Sequence, residues 1–292
     1  MLRFLSSVAD LWISRRASPD PDALAAVSAF APAVVITGVS RGIGRALAIR
    51  FARAGANVAL VGREAEPLAR MATEIARTHG VKAAPIALDI TASDAPAALD
   101  AALREAGLYA EVIVNNAGVG LAGPFTDHAP EEIDRLVALN VTAVTRLTRH
   151  ALSAMIARGS GGIMNMASLG GMVPGPYQAA YYASKAYVIS LTEAVAHEAA
   201  GHGVRIAVVM PGPVNTGFHR AMGAEGALYR TLIPALSPEA VAASAYRGFM
   251  LGRRKIAPGI VATMCALALK LLPNVVSVPL MGLLLYRPAR RR

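Results

Sequence analysis

Six short strand-like runs recur along this 292-residue chain, and helix-forming runs rich in alanine, leucine and arginine separate them. The strand-like runs cover residues 33–37, 57–61, 84–88, 110–114, 161–166 and 204–209. Regular alternation of strands with helices predicts a parallel sheet that is covered by helices on both faces. Because no internal repeat or low-complexity linker interrupts residues 33 to 250, the pattern indicates one domain.

Polar residues, glycines and a proline follow the predicted strands. They are Gly38, Gly62, Asp89, Asn116, Ser168 and Pro211. Proteins with open parallel sheets bind ligands beyond the carboxyl ends of their strands. We therefore expect these six segments to converge on one cleft.

A glycine-rich turn directly follows the first predicted strand. It reads Gly38-Val39-Ser40-Arg41-Gly42-Ile43-Gly44 and precedes a helix that we expect from about Arg45 to Ala54. Glycines let the backbone approach a pyrophosphate, and the free amides and dipole of a helix N-terminus favour an anion. The spacing is one residue wider than the G-x-G-x-x-G fingerprint of dinucleotide sites. The turn predicts a phosphate-binding cradle.

Tyr181 and Lys185 stand four positions apart at the start of an alanine-rich, helix-forming run. Residues at this spacing share one face of a helix. We expect the lysine cation to lower the pKa of the Tyr181 phenol from its usual value near ~10, which would make it a proton donor or acceptor. Ser168 can supply a second hydrogen bond to the same substrate oxygen. Tyr182 is the alternative acid, but only Tyr181 has a lysine four residues later.

In order and spacing, these motifs resemble those of the short-chain dehydrogenase/reductase family over about residues 33 to 259. The similar segments are Thr37 to Gly44, Asp89-Ile90, Asn115-Asn116-Ala117-Gly118, Asn140, Ser168, Tyr181, Lys185, and Pro211-Gly212-Pro213-Val214-Asn215-Thr216. The resemblance implies a doubly wound parallel sheet of the Rossmann type and a nicotinamide cofactor. It also implies hydride transfer between that cofactor and a carbonyl or alcohol carbon.

The resemblance assigns catalytic roles to four residues. Tyr181 would be the acid in reduction and the base in oxidation, and Lys185 would lower its pKa and hold the nicotinamide ribose. Ser168 would polarise the carbonyl, and Asn140 would anchor a water that relays protons to Lys185. Two alternatives remain open: Ser168 as a strand-end cap, and Asn140 as a partner for buried backbone groups within its own helix.

The resemblance also implies the residues that contact the cofactor. They are Thr37, Gly38, Ser40, Arg41, Gly42, Ile43, Gly44, Arg63, Asp89, Ile90, Asn116, Ala117, Gly118, Tyr181, Lys185, Pro211, Gly212, Val214 and Thr216. The second predicted strand ends in Gly62-Arg63, where an arginine suits a 2′-phosphate and a carboxylate would suit a ribose hydroxyl. With Arg41 as a second cation and no acid at that strand end, NADP(H) is the preferred cofactor and NAD(H) the alternative. Either arginine could instead be a solvated surface charge.

The substrate walls are predicted to be apolar. In this family, the segment after the sixth strand covers the substrate; here it spans residues 213 to 236, with Phe218, Met222, Leu228, Tyr229, Leu232 and Ile233. The opposite wall would contain Val119, Leu121, Met172, Val173 and Tyr177. Such walls favour a fatty-acyl, retinoid or steroid-like carbonyl or alcohol. The alternatives are a small polar ketone, or a non-catalytic protein that senses NADP(H).

Residues 240–292 carry nine of the 29 Lys and Arg residues and no acid, so the net charge of +10 is largely C-terminal. Two uncharged apolar runs flank Lys270, and neither reaches the roughly 20 residues that a spanning helix needs. This pattern favours helices that lie on an anionic membrane surface. Packing over the substrate cleft and a subunit interface are the two alternatives. We expect no nucleic-acid binding, because the basic residues are not interleaved with aromatics.

We divide the chain into three regions: an N-terminal amphipathic extension (1–32), an NADP-binding catalytic domain (33–259), and an apolar, basic C-terminal extension (260–292). Leu2, Leu5, Val8 and Trp12 would share one face of an N-terminal helix. Cys265 is the only cysteine, which fits a reducing compartment, so we expect a cytoplasmic protein with peripheral membrane association through its tail. We expect a homo-oligomer, either a dimer or a tetramer. The spacing of His and Cys predicts no metal site.

Overall fold

A computed structural model describes residues 18–224, 226–229 and 233–286 of the chain. The predicted N-terminal amphipathic helix, with Leu2, Leu5, Val8 and Trp12, lies outside the described residues, as does Leu232 of the predicted substrate wall. The four arginines that follow Tyr286 also lie outside them.

Seven parallel strands form one sheet in the order β3-β2-β1-β4-β5-β6-β7. The strands are β1 (Ala31–Thr37), β2 (Asn57–Gly62), β3 (Ala83–Ala87), β4 (Leu108–Asn115), β5 (Gly161–Met166), β6 (Val204–Val209) and β7 (Lys255–Ile256). The sheet confirms the predicted doubly wound fold, and the strand order reverses between β1 and β4. A crevice opens beyond the carboxyl ends of the strands at such a reversal.

Helices connect the strands and cover both faces of the sheet. They are α1 (Pro21–Ala25), α2 (Gly42–Ala52), α3 (Ala65–His79), α4 (Ala95–Glu105), α5 (Pro130–Val137), α6 (Val144–Arg158), α7 (Ala179–Glu198), α8 (Phe218–Ala221), α9 (Pro238–Met250), α10 (Ile260–Leu271) and α11 (Asn274–Leu285). A π-helical segment, Ala138–Ala143, joins α5 to α6, and a short 3₁₀ turn, Leu169–Met172, follows β5.

Two apolar cores lie on opposite faces of the sheet, because successive strand residues point to opposite sides. Val34 and Ile36 of β1 pack with α2, α3 and α9, whereas Val35 packs with α4, α6 and α7. The β1 side chains are therefore buried from both sides, which explains their continuous apolar pattern. Fully burying one such side chain contributes about 1.5–3 kcal/mol to the stability of the fold. Because each core buries many of them, the cores hold the strands, and with them their carboxyl ends, in a fixed arrangement.

The sheet begins slightly earlier and extends further than the sequence pattern predicts. The first strand starts at Ala31, two residues before the predicted domain boundary. The seventh strand was not predicted, since it contains only Lys255 and Ile256, too few residues for a periodic pattern. It pairs with β6 and leads into the C-terminal helices.

The C-terminal helices α10 and α11 pack over the carboxyl end of the sheet. Leu285 is buried in a cluster that includes Tyr181, Tyr182 and Met222. The ring of Tyr286 lies 5.5 Å from that of Tyr177, centroid to centroid. Of the three interpretations of the tail, the structure shows packing over the cleft. Within the described ranges, no helix has both the length and the apolar character to cross a membrane.

Candidate active site

One cavity of about 1220 Å³ extends from the glycine turn to the C-terminal helices. All the residues predicted to contact a cofactor line this cavity, as do the catalytic candidates Ser168, Tyr181 and Lys185. The fourth catalytic candidate, Asn140, is fully buried and is not part of the lining. The cleft inferred from strand ends is therefore a single continuous space.

The glycine turn is packed too tightly for larger residues at two positions. Gly38 has a φ of 71°, and a Cβ there would lie 2.7 Å from the Cα of Ala117. A Cβ on Gly44 would lie 2.3 Å from the carbonyl oxygen of Gly38. The turn leads into α2, whose first amides have no partner within the helix. The tight packing fixes the shape of the turn, and the free amides at the start of α2 fit the pyrophosphate of a dinucleotide.

Side-chain hydrogen bonds join the ends of β1 and β4 where the strand order reverses. The Thr37 hydroxyl accepts hydrogen bonds from the amides of Asn116 and Ala117, both at 3.0 Å. The Asn116 side-chain amide donates to the carbonyl oxygens of Thr37 and Gly38 at 2.9 and 3.0 Å. These bonds hold the floor of the crevice in place beneath the glycine turn.

Tyr181 and Lys185 lie on the first turns of α7, and Ser168 lies just beyond the end of β5. Both α7 residues are largely buried, with exposed fractions of 9% and 6%. The Lys185 ammonium donates to the carbonyl oxygen of Met166 at 2.9 Å and lies 5.9 Å from the Tyr181 ring centroid. The Ser168 hydroxyl accepts a hydrogen bond from the Gly170 amide at 3.1 Å. Ser168 thus caps the turn after β5, as its alternative interpretation requires, and it also lines the cavity.

The predicted decrease of the Tyr181 pKa is wrong for this structure. Burial raises the pKa of Tyr181 to about 12, and the neighbouring Ser168 hydroxyl offsets only part of that increase. Burial also lowers the pKa of Lys185 to about 8. Loss of water disfavours both charged forms, so the two pKa values move apart. The sequence pattern shows the spacing of the pair but not the extent of its burial.

Asn140 lies in the π-helical segment, a local distortion that recurs at functional sites. Its side-chain oxygen accepts from the Val119 amide at 3.0 Å, and its amide donates to the Val119 carbonyl at 2.8 Å and to the Ser184 hydroxyl at 3.1 Å. Asn140 thus bonds to backbone groups of Val119, which lies outside its own helix, and not to groups within the helix as the alternative expects. A Cβ on Gly118 would lie 3.2 Å from the Asn140 oxygen and 3.4 Å from the Lys185 ammonium, so both side chains flank this glycine.

The adenosine end of the predicted cofactor site carries charges of both signs. Arg41 and Arg63 line the cavity, as expected. Hydrogen bonds from the Thr91 amide and hydroxyl lower the pKa of Asp89, and Arg63 contributes a smaller decrease. Glu64 also lines this end, so the expectation that no acid lies at this strand end is wrong. Its position next to Arg63 was the signal that could have identified it.

The substrate end of the cavity is largely apolar. Phe218 packs against Tyr181 with ring centroids 5.6 Å apart. Further lining residues from the predicted walls are Val119, Leu121, Val173, Met222, Tyr229 and Ile233. Three other predicted residues, Met172, Tyr177 and Leu228, are not in the lining. Residues of the C-terminal helices also line the cavity, although the sequence pattern does not assign them to the substrate walls. They are Val261, Ala262, Cys265, Leu269, Met281 and Leu284.

Two polar features interrupt this apolar wall. Gln178 is 4% exposed, and its side-chain nitrogen has no hydrogen-bond partner among the described residues. The Tyr229 hydroxyl and the His219 Nδ1 lie 2.8 Å apart. All three side chains line the cavity. Glu132, Arg135 and Tyr182 are further polar residues in the lining.

Comparisons with known proteins agree with this geometry. Residues 32–226 match the short chain dehydrogenase family. The chain is 37% identical over 185 residues to 17-beta-hydroxysteroid dehydrogenase type 3 of Homo sapiens, with 62% of this chain and 59% of that protein aligned. It is 36% identical over 182 residues to the ketoacyl reductase HetN of Nostoc sp., with 62% and 63% aligned. The chain thus spans about three fifths of the length of these curated relatives.

A solved structure is similar over a larger share of its own length. The short-chain dehydrogenase from Sphingobium yanoikuyae in complex with NADPH has a TM-score of 0.72 and 31% sequence identity, covering 81% of this chain and 92% of that one. The family match, the parallel sheet and the Tyr181–Lys185 cavity lead to one conclusion: the chain belongs to the short-chain dehydrogenase family.

Proposed function

We propose that the protein is an NADP(H)-dependent oxidoreductase that interconverts a bulky apolar carbonyl compound and its alcohol. The observation that carries this proposal is the shared cavity, in which Ser168, Tyr181 and Lys185 stand between a glycine-rich cradle and apolar walls. Each half of the cavity suits one reactant. Tyr181 packs against Phe218 of the apolar wall, and the Lys185 ammonium lies beside Gly118 of the cofactor half.

The cofactor half of the cavity fits a dinucleotide phosphate. Gly38 and Gly44 allow the turn to pack tightly against Ala117 and against its own backbone, which supports a rigid cradle for a pyrophosphate at the start of α2. Arg41 and Arg63 suit a 2′-phosphate, which supports NADP(H), whereas Glu64 is the residue that would suit NAD(H). A bound nicotinamide supplies or accepts the hydride in this class of reaction.

Tyr181 is the proposed proton donor in reduction. A pKa of about 12 keeps its phenol protonated at neutral pH, so it can give a proton to a carbonyl oxygen as the alcohol forms. The Ser168 hydroxyl can donate a second hydrogen bond to the same oxygen and polarise the carbonyl. In oxidation the same groups act in reverse, and the phenolate form of Tyr181 would accept the proton of the alcohol. Lys185 is proposed to hold the cofactor ribose beside them.

The substrate is proposed to be bulky and apolar, with one further polar atom. Phe218, Met222 and the C-terminal helices form the apolar walls, and two relatives are named a hydroxysteroid dehydrogenase and a ketoacyl reductase. The unpartnered Gln178 nitrogen could donate to a second substrate oxygen. A buried donor without a partner is costly, so its pairing would favour such a substrate over a simple hydrocarbon ketone.

The test is an assay of NADPH oxidation by the purified protein with steroid ketones, long-chain 3-oxoacyl derivatives and retinaldehyde, run beside short polar ketones. We expect turnover of at least one bulky apolar class and a clear preference for NADPH over NADH. Turnover of the short polar ketones alone would contradict the substrate class. Tight NADPH binding with no turnover across the panel would support the sensing protein instead.

A further inference from the structure

The two C-terminal helices, α10 and α11, present apolar side chains to the outside of the molecule. Among the described large hydrophobic residues, the three most exposed are Ile260 at 84%, Leu271 at 80% and Val275 at 79%. Met264 and Leu283 on the same helices are 62% and 63% exposed. We call these five residues the outer face. Large apolar side chains that are exposed together on one pair of helices point to a site of interaction.

The opposite sides of the same helices are occupied by the protein itself. Ala262 and Leu285 are buried, and Leu269, Met281 and Leu284 pack against the cluster around Tyr181. The helices are therefore apolar on both sides, whereas a surface helix of a water-soluble domain normally has a polar outer side. Only a partner that is itself apolar would satisfy the outer face.

Charge distinguishes between two candidate partners. The sequence from residue 240 onward has nine basic residues and no acid, and Arg287, Arg290, Arg291 and Arg292 follow α11 directly. A second copy of the chain would bring like charges together, which opposes association. An anionic lipid surface attracts the same charges and accepts the apolar side chains below its headgroups.

We propose that α10 and α11 dock this protein on the surface of an anionic lipid bilayer. Each helix has 12 residues and is about 18 Å long at ~1.5 Å per residue, shorter than the ~30 Å hydrocarbon core. The helices therefore lie in the interface, with the outer face towards the acyl chains.

The docking surface is continuous with the mouth of the active-site cavity. Ile260, Val261 and Leu280 are at least 43% exposed and also line the cavity. The cavity therefore opens among the apolar side chains that would face the lipid. If the proposed function is correct, an apolar substrate enters from the bilayer without crossing water. This consequence rests on the proposed function, whereas the docking itself does not.

The test is sedimentation of the full-length protein with vesicles of phosphatidylserine and phosphatidylcholine, and with vesicles of phosphatidylcholine alone. The outer-face variant combines Leu271→Ser, Val275→Ser and Leu283→Ser, none of which lines the cavity. A charge variant replaces the four C-terminal arginines with serine. The matched control is Leu24→Ser, which is 46% exposed in α1, before β1 at the opposite end of the sheet.

The wild-type protein should sediment with anionic vesicles, more weakly at high salt, and poorly with phosphatidylcholine alone. Both the outer-face variant and the charge variant should partition about tenfold more weakly, and Leu24→Ser should match the wild type. NADPH affinity and circular dichroism should be unchanged in every variant, which shows that each has folded. Vesicle binding by a protein that reduces no carbonyl would refute the proposed function and leave the docking proposal intact.

Two results would overturn the docking proposal. One is a wild-type protein that stays in the supernatant with anionic vesicles, and the other is an outer-face variant that binds them as well as the wild type. If the wild type does not bind and the outer-face variant has a lower mass by light scattering, the outer face is an interface between copies of the chain.

Discussion

The ammonium of Lys185 lies 5.9 Å from the centre of the Tyr181 ring and donates its hydrogen bond to the carbonyl oxygen of Met166, at 2.9 Å. The backbone at the end of β5 thus holds the lysine beside the phenol. Because both groups are buried, the pKa of Tyr181 rises to about 12 and that of Lys185 falls to about 8. The Tyr181 phenol therefore stays protonated at neutral pH, whereas the Lys185 ammonium titrates close to neutral pH.

Replacing Lys185 with methionine should alter how stability depends on pH. The pKa of Lys185 falls from 10.5 to about 8 on folding, so the unfolded chain binds more protons than the folded protein between these values. The free energy of unfolding of the wild type should therefore increase with pH in this window more steeply than that of Lys185→Met. Urea unfolding of both proteins at several pH values between 8 and 10 measures the difference. Parallel curves would show that the lysine titrates normally.

Arg63→Ala should weaken NADPH binding by about 1.5–3 kcal/mol, the range for a hydrogen bond between charged groups, and leave NADH binding nearly unchanged. Glu64→Gln is the matched control at the adjacent position, and it should bind NADPH at least as well as the wild type because it removes a negative charge near the 2′-phosphate. Fluorescence titration gives both dissociation constants. Equal losses for the two cofactors would mean that Arg63 does not contact the 2′-phosphate.

Gln178→Leu should raise the KM for a bulky substrate that carries a second oxygen, while kcat stays close to that of the wild type. One lost hydrogen bond of about 1 kcal/mol corresponds to roughly a fivefold increase in KM. The free protein should be no less stable, because the buried nitrogen has no partner to lose among the described residues. An unchanged KM with every accepted substrate would remove Gln178 from the substrate site.

Local pattern was enough to predict most of the fold and the positions of the site residues. Each of the six predicted strands overlaps an observed strand, and the glycine turn lies between β1 and α2 as expected. These features depend on short-range periodicity and on residues with special backbone freedom, which a sequence displays directly. The seventh strand has two residues, Lys255 and Ile256, and pairs only because β6 lies beside it.

The remaining features depend on tertiary packing. The pKa of Tyr181 follows from its burial beneath Phe218 and neighbouring side chains, which come from segments distant in the sequence. The composition of the apolar tail favours a membrane surface and leaves a cavity wall as an alternative. Contacts such as that between Tyr286 and Tyr177 place the tail over the cleft. Leu271 and Val275 are exposed, so the C-terminal helices also have an apolar side that the protein does not cover.

Tyr181 and its neighbour Tyr182 provide a matched pair for testing the catalytic assignment. Both are buried. The Tyr182 ring packs so closely against Gly170 and Gly175 that a Cβ on either glycine would lie within 3.0 Å of the ring. Phenylalanine keeps that ring, so Tyr182→Phe should change turnover only slightly. Tyr181→Phe removes the proposed proton donor and leaves the cofactor cradle untouched.

The most direct test is the turnover number for NADPH oxidation with an accepted ketone, measured for the wild type and both variants beside NADPH affinity. We predict that Tyr181→Phe lowers turnover by about 10²–10⁴-fold, the usual contribution of a general acid, with NADPH affinity nearly unchanged. Tyr182→Phe should retain most of the wild-type turnover. An active Tyr181→Phe beside an inactive Tyr182→Phe would contradict the assignment of Tyr181 as the catalytic acid.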